Sequence, residues 1–461
     1  MASKLRPWAV LFWLLVWQGA SMALAAAYPH GALLLASPLR VLGRLWELLP
    51  QKAFWQAAGR SAGSILGGFL LSCLLAVVLA ALAERRRRLE ALLAPAVAAV
   101  KTVPAASFII LALVWLNART LPLFISGLMV FPPVYLNVLE GLRQRDPRLR
   151  EMARLFRVPF LRRLLGLDLP QVLPYFRASA SLALGLCWKA GAAAEVIGLP
   201  SGTIGERLYM AKIYLQTPDL FAWTIVIVAL SVLFERLFLA LTDALARKLR
   251  PGPAAFGRGK EPPPEIPAAV RARGLSKAYG GKTVLRDLSL TAGPGITCVM
   301  APSGAGKTTL LRILMGLEPP EEGTVTPDPA RCRWAAVFQE DRLLEDLTAA
   351  GNLRFVLGPA MDAPAAAALL ADLGLELEDP RPVRLWSGGM KRRLALARAL
   401  LAPSGALALD EPFTGLDGAL RARCMARIRQ AAETKPVLLV THDPADARGL
   451  PVVNLHSGAG R

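Results

Sequence analysis

Residues Ala301-Pro302-Ser303-Gly304-Ala305-Gly306-Lys307-Thr308-Thr309 match the pattern G-x-x-x-x-G-K-[ST] at every defined position except the first, where alanine replaces glycine. Such a loop offers backbone N–H groups that cradle phosphates, a lysine (Lys307) that reaches the outer phosphates, and a hydroxyl (Thr308) for magnesium. Further along, the apolar run Ala406-Leu407-Ala408-Leu409 ends in Asp410-Glu411-Pro412. An acid at such an edge suits Mg²⁺, and its neighbour suits a base for an attacking water. Alone, two acids after a strand describe a solvated turn. Downstream of a phosphate loop they describe the other half of a nucleotide-hydrolysing site.

These groups need a rigid frame. Positions 296–300 read as a buried strand feeding the loop, and 307–317 as a helix whose N-terminus faces the phosphates. Residues 268–461 alternate strands and helices in an α/β pattern. Ahead of them, 251–267 hold six prolines and three glycines, the composition of a linker. Residues 1–250 are of another kind. The 461-residue chain is 54% hydrophobic with mean hydropathy +0.42, too apolar for two ordinary soluble domains. Apolar runs near 8–27, 61–83, 91–116, 121–139, 178–199 and 221–245 each approach the ~20 residues a spanning helix requires, giving six spans in a lipid bilayer.

The net charge of +20 collects between those runs, at Glu84-Arg85-Arg86-Arg87-Arg88 and over 143–163. The positive-inside rule then puts the N-terminus, the 84–90 loop, the 140–177 loop and the C-terminal half in the cytoplasm, with 28–60 outside. Aromatic residues do not interleave with the basic ones, which sets nucleic acid aside as a partner. Five cysteines without C-x-x-C spacing describe free thiols rather than a disulfide framework. Small residues at 23–27 would allow signal cleavage, but a twenty-residue run carrying Trp8, Trp13 and Trp17 suits a retained helix better.

A more specific element is Leu385-Trp386-Ser387-Gly388-Gly389-Met390-Lys391-Arg392-Arg393, which opens a helix with Ser387 lying 23 residues before Asp410. It resembles the signature sequence of ATP-binding cassette (ABC) ATPases, and the rest of that family's set follows in order. The resemblance implies that Tyr279 stacks on adenine and that Gln339, in Val337-Phe338-Gln339-Glu340, joins Thr308 and Asp410 around Mg²⁺. It implies Glu411 as the residue orienting or deprotonating water, Asp417 as the D-loop aspartate and His442 as the switch histidine at the γ-phosphate. Ser387, Gly388 and Gly389 would complete the ATP site of an opposite subunit. Trp386 stands for the usual leucine and Met390 for the usual glutamine, and the methyl of Ala301 is tolerable where φ is negative. The 19 residues after His442 leave no expected room for a further regulatory domain.

In the 140–177 loop, Glu151-Met152-Ala153 and Leu167-Asp168-Leu169-Pro170 resemble the cytoplasmic EAA coupling loop of ABC importer permeases, with Arg157 where that pattern has glycine. The resemblance implies docking near Gln339; a basic amphipathic surface helix is the alternative. The stretch from Leu169 through Gly198, with Trp188 and Glu195, is most similar to permeases of the nitrate, sulfonate and taurine importer group. Taken over the chain, this implies a multi-domain protein: an all-α six-span transmembrane permease, then an α/β P-loop ATP-binding cassette domain. The protein would be an inner-membrane ATPase using ATP and Mg²⁺, paired as a homodimer and served by a separate extracytoplasmic solute-binding protein. Its cargo would be a small, anionic solute moving inward. An importer of a vitamin or pyrimidine precursor, an exporter and a non-transporting mechanotransmitter are the alternatives. An exporter should lack the 151–170 loop, and a mechanotransmitter needs a large outer domain where only 28–60 lie outside. In the fifth span, Lys189 and Glu195 suggest a substrate pathway or, as the blander alternative, a structural ion pair or snorkelling near the span ends.

Overall fold

A computed structural model describes residues 6–28, 30–249, 265–302, 304–329 and 331–455. Ser303 and positions 251–264 of the expected linker lie outside the described residues. The chain divides into two compact units, Met1–Arg145 with Pro170–Arg247, and Asp146–Leu169 with Lys248–Arg461.

The longer helices up to residue 249 are α1 (Pro7–Ala27), α2 (Pro38–Leu48), α3 (Lys52–Arg85), α4 (Arg87–Thr102), α5 (Ala105–Ala112), α6 (Leu121–Arg143), α7 (Pro147–Leu155), α8 (Leu169–Gly198), α9 (Ile204–Ile213) and α10 (Thr217–Leu249). Among the described residues, five stretches are long and apolar enough to cross a membrane: α1, α3, α6, Phe160–Gly198 and Thr217–Arg247. The run expected as one span over 91–116 is instead a pair, α4 and α5, bent by 107°. Pro104 lacks the N–H that would continue the helix and drives Val103 to an extended conformation, φ −78° and ψ 132°. The hydropathy of the run is unaffected by that break, so composition alone passes over it. α3 and α6 pack closely because Gly68 allows it: a Cβ there would sit 2.2 Å from the Leu123 carbonyl oxygen. Phe69, Val134 and Trp188 form the buried centre of this unit.

The second unit carries two sheets. β1 (Val270–Tyr279), β2 (Lys282–Ala292) and β4 (Glu322–Thr326) form an antiparallel sheet in the order β2-β1-β4. β3 (Gly295–Met300), β5 (Trp334–Val337), β6 (Ala406–Asp410), β7 (Pro436–Thr441) and β8 (Val452–Asn454) form a parallel sheet in the order β5-β6-β7-β3-β8. β6 and β7 are buried at every position, as strands covered on both faces must be. Helices α11 (Lys307–Leu314), α12 (Ala349–Leu357), α13 (Ala363–Asp372), α14 (Gly388–Leu401) and α15 (Gly418–Ala432) complete the α/β pattern. The phosphate loop leaves the C-terminal end of β3, His442 follows β7 and Asp410 closes β6, so three neighbouring strands deliver the site from one edge.

Segment 146–169 belongs to this second unit, although a boundary drawn along the sequence at 250 would leave it with the spans. Met152, Ala153 and Leu167 are buried in the same apolar core as Leu310 and Phe355. Burial of those side chains is what holds the segment there.

Candidate functional site

Gly304 and Gly306 turn the phosphate loop with φ of 82° and 87°, a region where an L side chain is strained. At Gly306 a Cβ would also stand 2.9 Å from the side chains of Val284 and Leu285. Ala301 is not among the described residues with positive φ, so its methyl meets the condition the sequence set for it. Lys307 Nζ donates to the Ala301 carbonyl at 2.7 Å, which draws the ammonium back over the loop. The N–H of Ala305 donates to the Pro302 carbonyl at 3.3 Å. Tyr279 comes to the same place: its ring is exposed, its hydroxyl interacts with Thr309 and donates to Glu318 Oε1 at 2.5 Å.

Thr308 Oγ1 donates to Asp410 Oδ2 at 3.2 Å. Asp410 is only 5% exposed, and burial pushes its carboxyl above the usual range while the Thr308 hydroxyl opposes the shift. Gln339 lines the same cavity as Thr308 and Asp410. Among the described residues no three His, Cys, Asp or Glu side chains gather into a metal cage. One carboxylate, a hydroxyl and an amide oxygen nevertheless fit Mg²⁺, which characteristically fills its remaining positions with water and substrate phosphates.

Glu411 has φ of 50°, a conformation costing a non-glycine residue about 1–3 kcal/mol. Its N–H donates to the Val440 carbonyl at 2.9 Å, crossing from the end of β6 to β7. Its side-chain Oε1 lies 3.0 Å from His442 Nδ1, and the imidazole is otherwise largely exposed. Adjacency of β6 and β7 thus joins two residues the sequence separates. A carboxylate beside an oriented imidazole at the phosphate edge can accept a proton from water.

The signature lies at the start of α14. Ser387 Oγ accepts from Met390 N at 3.3 Å as the helix cap, leaving Ser387 and Gly388 exposed. Gly389 packs tightly, since a Cβ would stand 3.1 Å from the Gly415 carbonyl. Asp417 caps α15 by accepting from Leu420 N at 2.8 Å and is also exposed. Trp386 is buried beneath the signature.

The Glu151 carboxylate bridges two arginines: it accepts from Arg312 Nη2 at 2.7 Å and from Arg342 Nη1 at 2.6 Å. Arg312 is on α11, the helix that begins with Lys307, and Arg342 follows Gln339 by three residues. A cavity of about 610 Å³ is lined by Arg148, Glu151, Thr308, Gln339, Arg342 and Asp410 among others. Arg157 adopts φ of 51°, so the backbone turn for which the resembled pattern uses glycine is present without it. Leu169 is half-buried and Pro170 exposed at the end of this segment. Sequence reasoning missed Arg312 and Arg342, which nothing distinguishes among 54 basic residues.

In the first unit, Lys189 and Glu195 do not pair. Six residues along a helix turn by about 240°, so they point to different sides. Glu195 is fully buried, and its Oε2 accepts from Ser61 Oγ at 2.7 Å and from Gly205 N at 3.0 Å. Lys189 is exposed in the C-terminal part of α8, without a hydrogen bond or ion pair to any described residue.

Two family profiles match this chain: one described as ABC transporter, over residues 285–414, and one described as binding-protein-dependent transport system inner membrane component, over residues 69–251. Among curated proteins, the chain is 42% identical over 194 residues to aliphatic sulfonates import ATP-binding protein SsuB 1 of Rhizobium johnstonii, covering 39% of this chain and 70% of that protein. It is 42% identical over 185 residues to aliphatic sulfonates import ATP-binding protein SsuB of Delftia acidovorans, covering 39% and 76%. Nod factor export ATP-binding protein I of Burkholderia orbicola is 41% identical over 200 residues, covering 40% and 66%.

Proposed function

This chain belongs to the ABC transporter family as a permease region joined to an ATP-hydrolysing cassette, and from that premise we propose that it is one half of an importer for a small anionic solute, with aliphatic sulfonates the leading class. Two copies pair, because one chain supplies one cassette and one set of spans. Lys307 and the loop N–H groups hold the β- and γ-phosphates of ATP, while the ring of Tyr279 stacks on the base. Glu411 takes the proton of the attacking water, with His442 holding the carboxylate and reaching the γ-phosphate. Thr308, Gln339 and Asp410 would hold Mg²⁺, which neutralises phosphate charge as it develops. The exposed N-terminus of α14, from Ser387 to Gly389, closes on ATP bound by the other copy, with Asp417 at the same junction.

The Glu151 bridge carries the coupling step. One carboxylate grips both the helix behind the phosphate loop and the strand-end loop containing Gln339, so movement of either reaches segment 146–169. That segment continues in the chain into α6 and α8. Closure of the ATP sites would therefore shift the spans, and hydrolysis would reset them. Import rather than export is supported by the match to a binding-protein-dependent permease; the exporter's ATP-binding protein matches the cassette almost as well as the importers' do. The N-terminus and cassette would be cytoplasmic, in the inner membrane, with a separate solute-binding protein on the outer side.

Lys189 is the residue we assign to the solute path. A lysine within a span and facing lipid is costly, whereas a water-filled path would solvate it and an anion would pair with it. Glu195 serves instead to hold the start of α9 through Gly205 N. The test is uptake of radiolabelled ethanesulfonate, nitrate and a pyrimidine precursor by cells expressing the chain with its neighbouring binding protein. Ethanesulfonate uptake that is lost in Glu411→Gln and weakened several-fold in Lys189→Gln is expected. Uptake of the pyrimidine alone would overturn the anionic assignment.

A further inference from the structure

Arg392 on α14 is 4% exposed, yet neither the phosphate chemistry nor the coupling bridge uses it. Its guanidinium reaches two segments at once, the end of β6 and the loop after β5. Nε donates to the Glu411 carbonyl at 3.1 Å and Nη2 to the same carbonyl at 2.7 Å. Nη2 also donates to the Asp410 carbonyl. Nη1 donates to the Phe338 carbonyl at 2.5 Å, the Gln339 carbonyl at 3.3 Å and Asp341 Oδ1 at 3.1 Å. A planar five-donor fork suits this purpose, and lysine could not span it.

Two features make the clamp more than packing. The carbonyl it holds twice belongs to Glu411, whose positive φ must be maintained by its surroundings. The helix it is anchored to begins with Ser387, Gly388 and Gly389, only a few residues before Arg392. If those residues engage ATP held by the second copy, Arg392 joins the occupancy of one site to the position of the water-activating carboxylate in the other.

We propose that Arg392 is a positioning residue that makes the two ATP sites cooperative, by tying each signature helix to the Glu411 and Gln339 backbones of its own chain. This rests on the composite-site reading given above. Thr414 Oγ1 supplies the needed contrast, since it donates to the same Glu411 carbonyl at 3.1 Å without being part of α14.

The experiment is ATP-dependence of hydrolysis by the full-length chain in lipid nanodiscs, comparing wild type, Arg392→Gln, Arg392→Lys and Thr414→Val. Wild type should show a Hill coefficient approaching about 2, the number of sites in a pair. Arg392→Gln should lose about tenfold or more in turnover, with the Hill coefficient falling to about 1, and Arg392→Lys should recover little of either. Thr414→Val should lower turnover with the coefficient unchanged, as loss of local support alone would. Melting temperature and bound ATP are measured on each sample, so that a variant that fails to fold is replaced in the comparison by Arg392→Lys. A folded, dimeric Arg392→Gln chain that keeps the wild-type coefficient overturns the proposal alone. A wild-type chain that remains a monomer with ATP bound, and whose coefficient is about 1, overturns the proposal and the composite site together.

Discussion

The two units of this molecule surround their ionisable groups with different numbers of partners. In the cassette, Arg398 is buried to 1% exposure and donates to the carbonyls of Arg342 and Asp341 at 2.7 and 2.9 Å. Burial pulls its pKa down to about 10, which still leaves it charged at neutral pH. Arg392 and Glu151 are likewise surrounded by partners from the same unit. In the spans, buried Glu195 accepts two hydrogen bonds on one carboxylate oxygen while the other has no partner, and the exposed Lys189 has none at all among the described residues. A charge satisfied within its own chain fixes local geometry. Lys189 lacks such a partner, and that is the basis for proposing it for the solute path.

That contrast can be broken most sharply at Glu411. Glu411→Gln should lower turnover by about 10²- to 10⁴-fold while ATP remains bound, measured by phosphate release and nucleotide retention. Retained hydrolysis would remove Glu411 as the base. At the coupling bridge, Glu151→Ala leaves Arg312 and Arg342 facing each other without their shared acid. Transport should fall about tenfold or more while ATP hydrolysis continues, and equal loss of both would make the bridge part of the ATP site rather than a relay.

Asp410 gives a smaller effect with a defined sign. Its folded pKa is raised, so the folded chain binds this proton more tightly than the unfolded one. The associated stability is present below the unfolded value and is lost as pH rises through the folded one. Without nucleotide, Asp410→Asn should therefore melt higher than wild type at pH 7, and the gap should narrow as pH falls toward the ordinary carboxylate range. A gap that widens on acidification would contradict the burial effect. The smallest effect belongs to Arg157→Gly, which relieves the positive φ and loses a 3.5 Å contact from Nη2 to the Cys332 carbonyl. Stability should change by no more than about 1 kcal/mol, read from denaturant midpoints, with transport intact.

The same contrast explains what the sequence could announce. The phosphate loop, Asp410 and Glu411 could be singled out because phosphate chemistry dictates residue type and spacing, His442 only through the family resemblance, and the parallel sheet brings their strands together. Arg312, Arg342 and Arg392 could not, because an arginine acquires its meaning only from partners far along the chain. Arg157 shows the converse case. The residue type departed from the resembled pattern, yet the conformation that pattern requires was kept. In the spans, hydropathy located the long apolar helices but passed over the turn at Pro104, since an average over a window carries no backbone geometry. It also gave no hint of which side Lys189 faces, because helical rotation is set by packing.

The central claim is that each ATP is held between two copies of this chain, with Lys307 from one and Ser387 from the other. Native mass spectrometry of Glu411→Gln with ATP and Mg²⁺ measures this directly, alongside the double variant Glu411→Gln with Ser387→Arg. The composite site predicts two chains retaining two ATP molecules, and loss of both the retained ATP and the closed pair when arginine occupies position 387. A single chain retaining one ATP, unaffected by Ser387→Arg, would contradict it.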